Sequence, residues 1–130
     1  MNRKTTFAAA GTAGILAAAV LAFISSQAAF AANVNIDIVP EAPDKGDQAF
    51  SPNAPEVHVG DTVIWTNKDS TGHTVTSGSG QPDGKFGVNA NGTPNVILPN
   101  QTQEFNPTTP GDYSYYCALH PSMVGKLKVE

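Results

Sequence analysis

A seven-residue stretch near the C-terminus, Cys117-Ala118-Leu119-His120-Pro121-Ser122-Met123, constrains the fold of this chain more than any other feature. It holds the only cysteine of the chain and the only methionine besides Met1. A soft thiolate, an imidazole and a thioether therefore lie at C-x2-H-x2-M spacing. One more imidazole would complete a Cys/His/His set with a weak axial thioether, which is the ligand set of a mononuclear type 1 copper site. A suitable fold must bring a distant histidine to this loop.

The N-terminus carries the pattern of a secretory signal peptide, which we predict over residues 1–31. Arg3 and Lys4 form a basic n-region, and an apolar stretch follows from about Phe7 to Phe23. Ala29-Phe30-Ala31 then offers an A-x-A cleavage site. The pattern predicts export to the periplasm or to the outer face of the cytoplasmic membrane.

Cleavage after Ala31 would leave one domain, residues 32–130, which is large enough for one core but not for two. The uncharged run from Thr5 to Asn33 is also long enough to span a membrane. Membrane association through an uncleaved N-terminus therefore stays open as an alternative. In an oxidising compartment the lone Cys117 needs burial, a partner chain or a metal.

The mature chain is acidic. Removing Arg3 and Lys4 leaves 7 − 2 = 5 cationic side chains, all lysines, against 11 carboxylates, so its formal net charge is 5 − 11 = −6. We expect no nucleic-acid partner, because phosphate contacts need a basic footprint. The charge fits either docking to a cationic partner protein or simple solubility. We expect a monomer.

The mature sequence reads as short strands separated by Gly- and Pro-rich turns, without a helical stripe. Val63 and Trp65 share one strand face, which predicts a core position for Trp65. Residues 56–59 and 62–66 are predicted to pair as a hairpin, and the glycine-rich segment 77–92 to be a surface excursion. This pattern predicts an all-β fold, a Greek-key β-sandwich. The other predicted strands are 34–38, 73–76, 96–98, 101–105, 113–117 and 125–130.

The mature chain has three histidines that could supply imidazole. His120 lies three residues after Cys117, so both side chains can reach one ion. His73 lies 44 residues before Cys117, where a turn meets a strand, and can reach one end of the sandwich. His58 alternates with Val57 and Val59 on an edge-like strand, and we interpret it as a structural or surface histidine.

Two blocks of the sequence resemble cupredoxins, the blue-copper proteins. Thr62-Val63-Ile64-Trp65-Thr66-Asn67-Lys68-Asp69…His73-Thr74-Val75 is similar to the region of their first histidine ligand. Gly111-Asp112-Tyr113-Ser114-Tyr115-Tyr116-Cys117…His120…Met123…Gly125-Lys126-Leu127 is similar to the ligand loop of plastocyanin. Two such blocks in the right order, inside an all-β pattern, make a specific signal over about residues 50–130.

The resemblance implies a role for each matching position. His73 and His120 would bind one copper ion through imidazole nitrogen, Cys117 through its thiolate and Met123 as a long axial thioether. The protein would then be an exported electron carrier rather than an enzyme, shuttling single electrons between redox partner proteins by the Cu(I)/Cu(II) couple. For Met123 the residues alone also allow a second interpretation, ordinary core filling.

Two other functions stay open from the sequence. One is a copper redox enzyme acting on a small molecule such as nitric oxide or peroxide, which would need an open or weak axial copper position. The other is a copper-binding protein without redox turnover. An intense thiolate-to-copper absorption band would separate the redox functions from a colourless metal complex.

The sequence departs from the family pattern at three places. His120 and Met123 are separated by only two residues, as in amicyanin rather than plastocyanin. Thr74 stands where the family often has an asparagine whose side chain braces the cysteine loop, and Gly72 where it often has proline. These departures leave open a less rigid site, a weaker Met123 contact and an axial position partly accessible to water or a small ligand.

Overall fold

The computed structural model describes residues 30–130, so nearly all of the predicted signal peptide lies outside the described part. Two four-stranded sheets and one two-stranded sheet account for its strands. The predicted all-β sandwich is confirmed. The strands are β1 (Asn33–Ile38), β2 (Phe50–Ser51), β3 (Glu56–Val57), β4 (Thr62–Asn67), β5 (His73–Thr74), β6 (Thr76–Ser77), β7 (Val96–Ile97), β8 (Thr102–Phe105), β9 (Gly111–Tyr116) and β10 (Val124–Val129).

The two larger sheets are built from strands that are distant in sequence. The first has the order β2-β1-β4-β8, with β1 and β4 parallel from the Asn33–Thr62 pair to the Ile38–Asn67 pair. The second has the order β3-β10-β9-β6, with an antiparallel pair of β9 and β10. The chain therefore crosses between sheets repeatedly. No helix within residues 30–130 is long and apolar enough to cross a membrane.

Trp65 is the centre of the core, as predicted. It is fully buried, stacks on Phe86 with ring centroids 5.4 Å apart, and meets Tyr115 edge-on at the same distance. The prediction of a surface excursion is therefore wrong at Phe86, which is only 7% exposed. The chain can return there because Gly87 adopts φ +78°, and a Cβ at Gly87 would lie 1.8 Å from the Val75 carbonyl oxygen.

The predicted hairpin of residues 56–59 with 62–66 is wrong. β3 pairs in parallel with β10, whereas β4 pairs with β1 and β8 in the opposite sheet. The turn between β3 and β4 thus crosses the sandwich, so that Val57 and Val63 enter one core from opposite sides. The backbone N–H of His58 donates to the Asp61 carboxylate at 2.8 Å instead of to a neighbouring strand.

The predicted strand 73–76 is divided between two sheets. His73 and Thr74 pair with β7, and Thr76 and Ser77 pair with β9. Thr76 pairs with Tyr116, the last residue of β9. This crossing therefore brings residues 73–77 to the C-terminal end of β9. Cys117 directly follows that end.

Candidate metal centre

Three of the predicted site residues converge at one end of the sandwich. One donor atom each of His73, Cys117 and His120 lies within 4.8 Å of the other two. The Cys117 sulfur is 3.9 Å from Nδ1 of His73 and 3.8 Å from Nδ1 of His120. Atoms at this separation can both bond an ion between them at about 2.0–2.3 Å. The donor set therefore fits a metal ion that prefers mixed sulfur and nitrogen ligands.

The loop after β9 places two of these donors. The Cys117 N–H donates to the Met123 carbonyl at 3.1 Å, which closes the loop. Within it the His120 N–H donates to the Cys117 carbonyl at 3.3 Å, and the Met123 N–H donates to the His120 carbonyl at 2.9 Å. Because these backbone groups are paired, the loop from Cys117 to Met123 is an ordered turn.

The four predicted ligand residues differ in exposure. His73, Cys117 and Met123 are fully buried, and His120 is partly buried. Met123 belongs to the hydrophobic core cluster, so its burial fits core filling as well as axial ligation of an ion. Ligation by Met123 therefore stays a prediction. His58 lies outside the cluster, 61% exposed beside Asp61, which agrees with a surface role.

Thr74 joins the segment of His73 to the cysteine loop by two hydrogen bonds. Its hydroxyl accepts a hydrogen bond from the Ala118 N–H at 2.7 Å, and its backbone N–H donates to the Cys117 sulfur at 3.3 Å. The Thr76 hydroxyl donates to that of Thr74 at 3.0 Å, which orients it. The two ligand segments are thus tied together on both sides of Cys117, so Thr74 supplies a brace at the position where the family often has asparagine.

Asp69 is a candidate site residue that the sequence interpretation missed, because it was quoted only as part of the block that resembles cupredoxins and was given no role. Its carboxylate lies 2.7 Å from Nε2 of His73, and both side chains are buried. An ionised carboxylate only accepts, so Nε2 donates and Nδ1 keeps its lone pair on the side of Cys117. The four-residue spacing of an acid before the first histidine is the signal that could have revealed this pair.

Several hydrogen bonds keep Asp69 ionised. Burial alone would raise its pKa, but hydrogen bonds from His73 and from the backbone N–H groups of Glu41 and Ser70 outweigh burial. They lower the pKa of Asp69 from 3.8 to about 2. The Asp69 N–H in turn donates to the Asn67 side chain at 2.9 Å. Asp69 is therefore a fixed anionic acceptor behind His73.

Comparison with known proteins agrees with this geometry. Residues 39–130 match the family model described as copper-binding proteins of the plastocyanin/azurin family. The chain belongs to that family. Its cofactor is one copper ion, which the His73, Cys117 and His120 donor set fits.

Two relatives support the family by sequence similarity, and two solved structures support it by similarity of fold. Amicyanin-alpha of Methylorubrum extorquens is 35% identical over 119 residues, covering 87% of this chain and 95% of the relative. A plastocyanin of a Synechococcus species is 33% identical over 115 residues, covering 84% and 81%. A purple cupredoxin from Nitrosopumilus maritimus superposes with a TM-score of 0.58 at 29% identity, covering 75% of this chain and 99% of that chain. The Cu(I) form of an amicyanin mutant gives 0.56 at 26% identity, covering 75% and 82%.

Proposed function

We propose that this protein is an exported electron carrier in which His73, Cys117 and His120 hold one copper ion, with Met123 as its axial ligand. The observation that supports this most is the convergence of one thiolate and two imidazole nitrogens within 4.8 Å at a buried end of the sandwich. A trigonal His₂Cys set with a weak axial thioether is the ligand arrangement of electron-transfer copper sites.

Bound copper supplies a couple that takes up and returns one electron. The chain's contribution is to hold its donors in one arrangement that suits both oxidation states. The thiolate of Cys117 suits Cu(I), and the imidazoles suit Cu(II). Thr74 and the closed 117–123 loop fix these donors, so little of the site has to move when the charge changes.

Electrons enter and leave through His120 in this proposal. His73 and Cys117 have no exposed surface, whereas His120 is partly exposed. The loop around it is apolar, because Leu119 is 53% exposed and Ala118 and Pro121 also reach the surface. A small apolar surface of this kind suits brief contact with a redox partner protein. The net charge of −6 calculated for residues 32–130 favours a cationic partner.

An absorption and redox experiment tests the proposal. Adding one equivalent of Cu(II) to the mature protein should give an intense visible band from the thiolate–copper bond. Ascorbate should bleach the band, reoxidation should restore it, and voltammetry should show a reversible one-electron wave. A colourless complex or an irreversible wave would contradict an electron carrier. Steady turnover of nitric oxide or peroxide would instead support the enzymatic alternative.

Replacing Met123 by leucine tests the axial ligand. Leucine has nearly the same volume, so the free energy of unfolding of the copper-free protein should fall by less than about 1.5 kcal/mol. If Met123 is the axial ligand, the variant should differ from the wild type in its visible spectrum and reduction potential, because the axial donor tunes both. Leu127→Met, an equally buried swap on β10, is the control and should change neither. An unchanged spectrum and potential in Met123→Leu would assign Met123 to core filling alone.

A further inference from the structure

The end of the sandwich remote from the metal centre holds a buried carboxylate, Asp61, beside the start of β1. The backbone N–H of Ala32 donates to Asp61 Oδ1 at 2.9 Å, and the Thr62 N–H donates to the Ala32 carbonyl at 2.9 Å. Asp61 is 4% exposed, whereas Ala31 and Ala32 are exposed and Phe30 is 88% exposed. Ala32 is thus an exposed residue whose backbone nitrogen faces a fixed carboxylate oxygen.

Hydrogen bonds to its carboxylate, its backbone N–H and its carbonyl hold Asp61 in place. Its Oδ2 accepts the His58 N–H at 2.8 Å, its own N–H donates to the His58 carbonyl at 3.0 Å, and its carbonyl accepts the Asn106 side-chain amide at 3.3 Å. The hydrogen bonds from Ala32 and His58 lower the pKa of Asp61 despite its burial, so it is anionic at neutral pH. Within residues 30–130 its one ion-pair partner is His58, at 3.7 Å, which is a cation only when protonated.

We infer that Asp61 is the binding site for the α-ammonium group that removal of the signal peptide creates at Ala32. The inference rests on the proposed export and on cleavage after Ala31. Hydrolysis of the Ala31–Ala32 bond consumes one water: the C–N bond breaks, the Ala31 carbonyl gains the oxygen, and the Ala32 nitrogen is released as an amine that takes up a proton. The nitrogen that already donates to Asp61 then becomes a cation.

Two features of the fold suit this conversion. The bond after Ala31 lies before Asn33, where β1 begins, so its hydrolysis leaves every strand intact. Ala31 and Phe30 are exposed, so the bond lies at the surface of the domain. The hydrogen bond to the ionised Asp61 is already charge-assisted, and a cationic donor adds a Coulombic attraction to it, so processing would tighten the contact between Ala32 and the β3–β4 turn.

The experiment compares copper-loaded protein beginning at Ala32 with the same protein after acetylation of its α-amino group. Acetylation restores a neutral amide and should raise the unfolding equilibrium constant by roughly threefold to tenfold. In Asp61→Asn the same acetylation should change it by less than about twofold. Asp44→Asn is the control and should behave as the wild type, because it removes an exposed carboxylate next to Pro43, which contacts Ser122 of the 117–123 loop. An equal effect of acetylation in Asp61→Asn and wild type would overturn the inference.

Two further measurements keep the test decisive if Asp61→Asn fails to fold. The pKa of the Ala32 α-amino group should lie above its usual range of about 7.7–8.0, because the Asp61 carboxylate faces it. The other titratable groups nearby are His58, which lies 3.7 Å from Asp61, and Glu130, which lies 3.9 Å from His58. A value in or below that range contradicts the inference. Mass spectrometry of the exported protein should find Ala32 as its first residue, and any other N-terminus overturns the inference. A colourless copper complex with these results intact would overturn the proposed function alone, since the two sites lie at opposite ends of β4.

Discussion

Replacing Cys117 by alanine should abolish the intense visible absorption of the copper-loaded protein and its reversible one-electron wave. Cys117 supplies the only thiolate of the chain, and the band depends on that bond. Loss of a residue that hydrogen-bonds a metal ligand lowers metal affinity by roughly 10–100-fold. Cys117→Ala removes a direct ligand, so its copper affinity should fall by more than that. Absorption titration with Cu(II) and voltammetry measure both effects.

The control for this substitution is a core residue far from the site. Val57→Ala removes buried side-chain atoms on β3 and should destabilise the protein by about 1–3 kcal/mol while leaving the visible band intact. Cys117→Ala should keep the circular dichroism of the copper-free wild type, because only one buried sulfur atom is lost. A variant that still turned blue with copper would contradict ligation by Cys117.

The cysteine-containing loop of the candidate metal centre could be picked out from the sequence because its residue types are unusual in this chain. A single cysteine, followed by histidine and methionine at fixed spacing, allows few interpretations in an exported β-protein. The alternation of Val63 and Trp65 likewise predicted one buried face of β4, which the structure confirms. Both signals are local, so neither depends on knowing which strands are neighbours, whereas the choice of His73 as the second imidazole rested on the family resemblance.

The wrong predictions concern contacts between distant segments. Sequence adjacency of residues 56–59 and 62–66 favoured a hairpin, but β3 pairs with β10, whose partner residues lie 72 positions further along the chain. Phe86 lacks periodic neighbours, so its stacking on Trp65 follows from the packing of the finished core. Thr74 reaches Ala118 for the same reason: a crossing between sheets brings the two segments together.

Asp69 was missed although it lies only four residues before His73, and its replacement should have the next largest effect on the site. Asp69→Ala removes both the charge and the acceptor from His73, so Cu(II) affinity should fall by roughly 10–100-fold. Asp69→Asn can keep an acceptor for Nε2 but removes the negative charge, so it should lose less affinity. In both variants the reduction potential should rise, because a nearby anion stabilises Cu(II) over Cu(I).

Voltammetry of Asp69→Asn measures this electrostatic effect directly. If the variant loses tenfold more affinity for Cu(II) than for Cu(I), its potential should rise by about 59 mV, the value of a tenfold ratio for one electron. Asp112→Asn removes the same charge from the other end of β9, about 17 Å along the strand from Cys117, and should leave the potential nearly unchanged. Equal potentials in Asp69→Asn and wild type would assign Asp69 to loop structure alone. A rise confined to Asp69 would show that this chain sets its copper potential through the carboxylate behind its buried histidine.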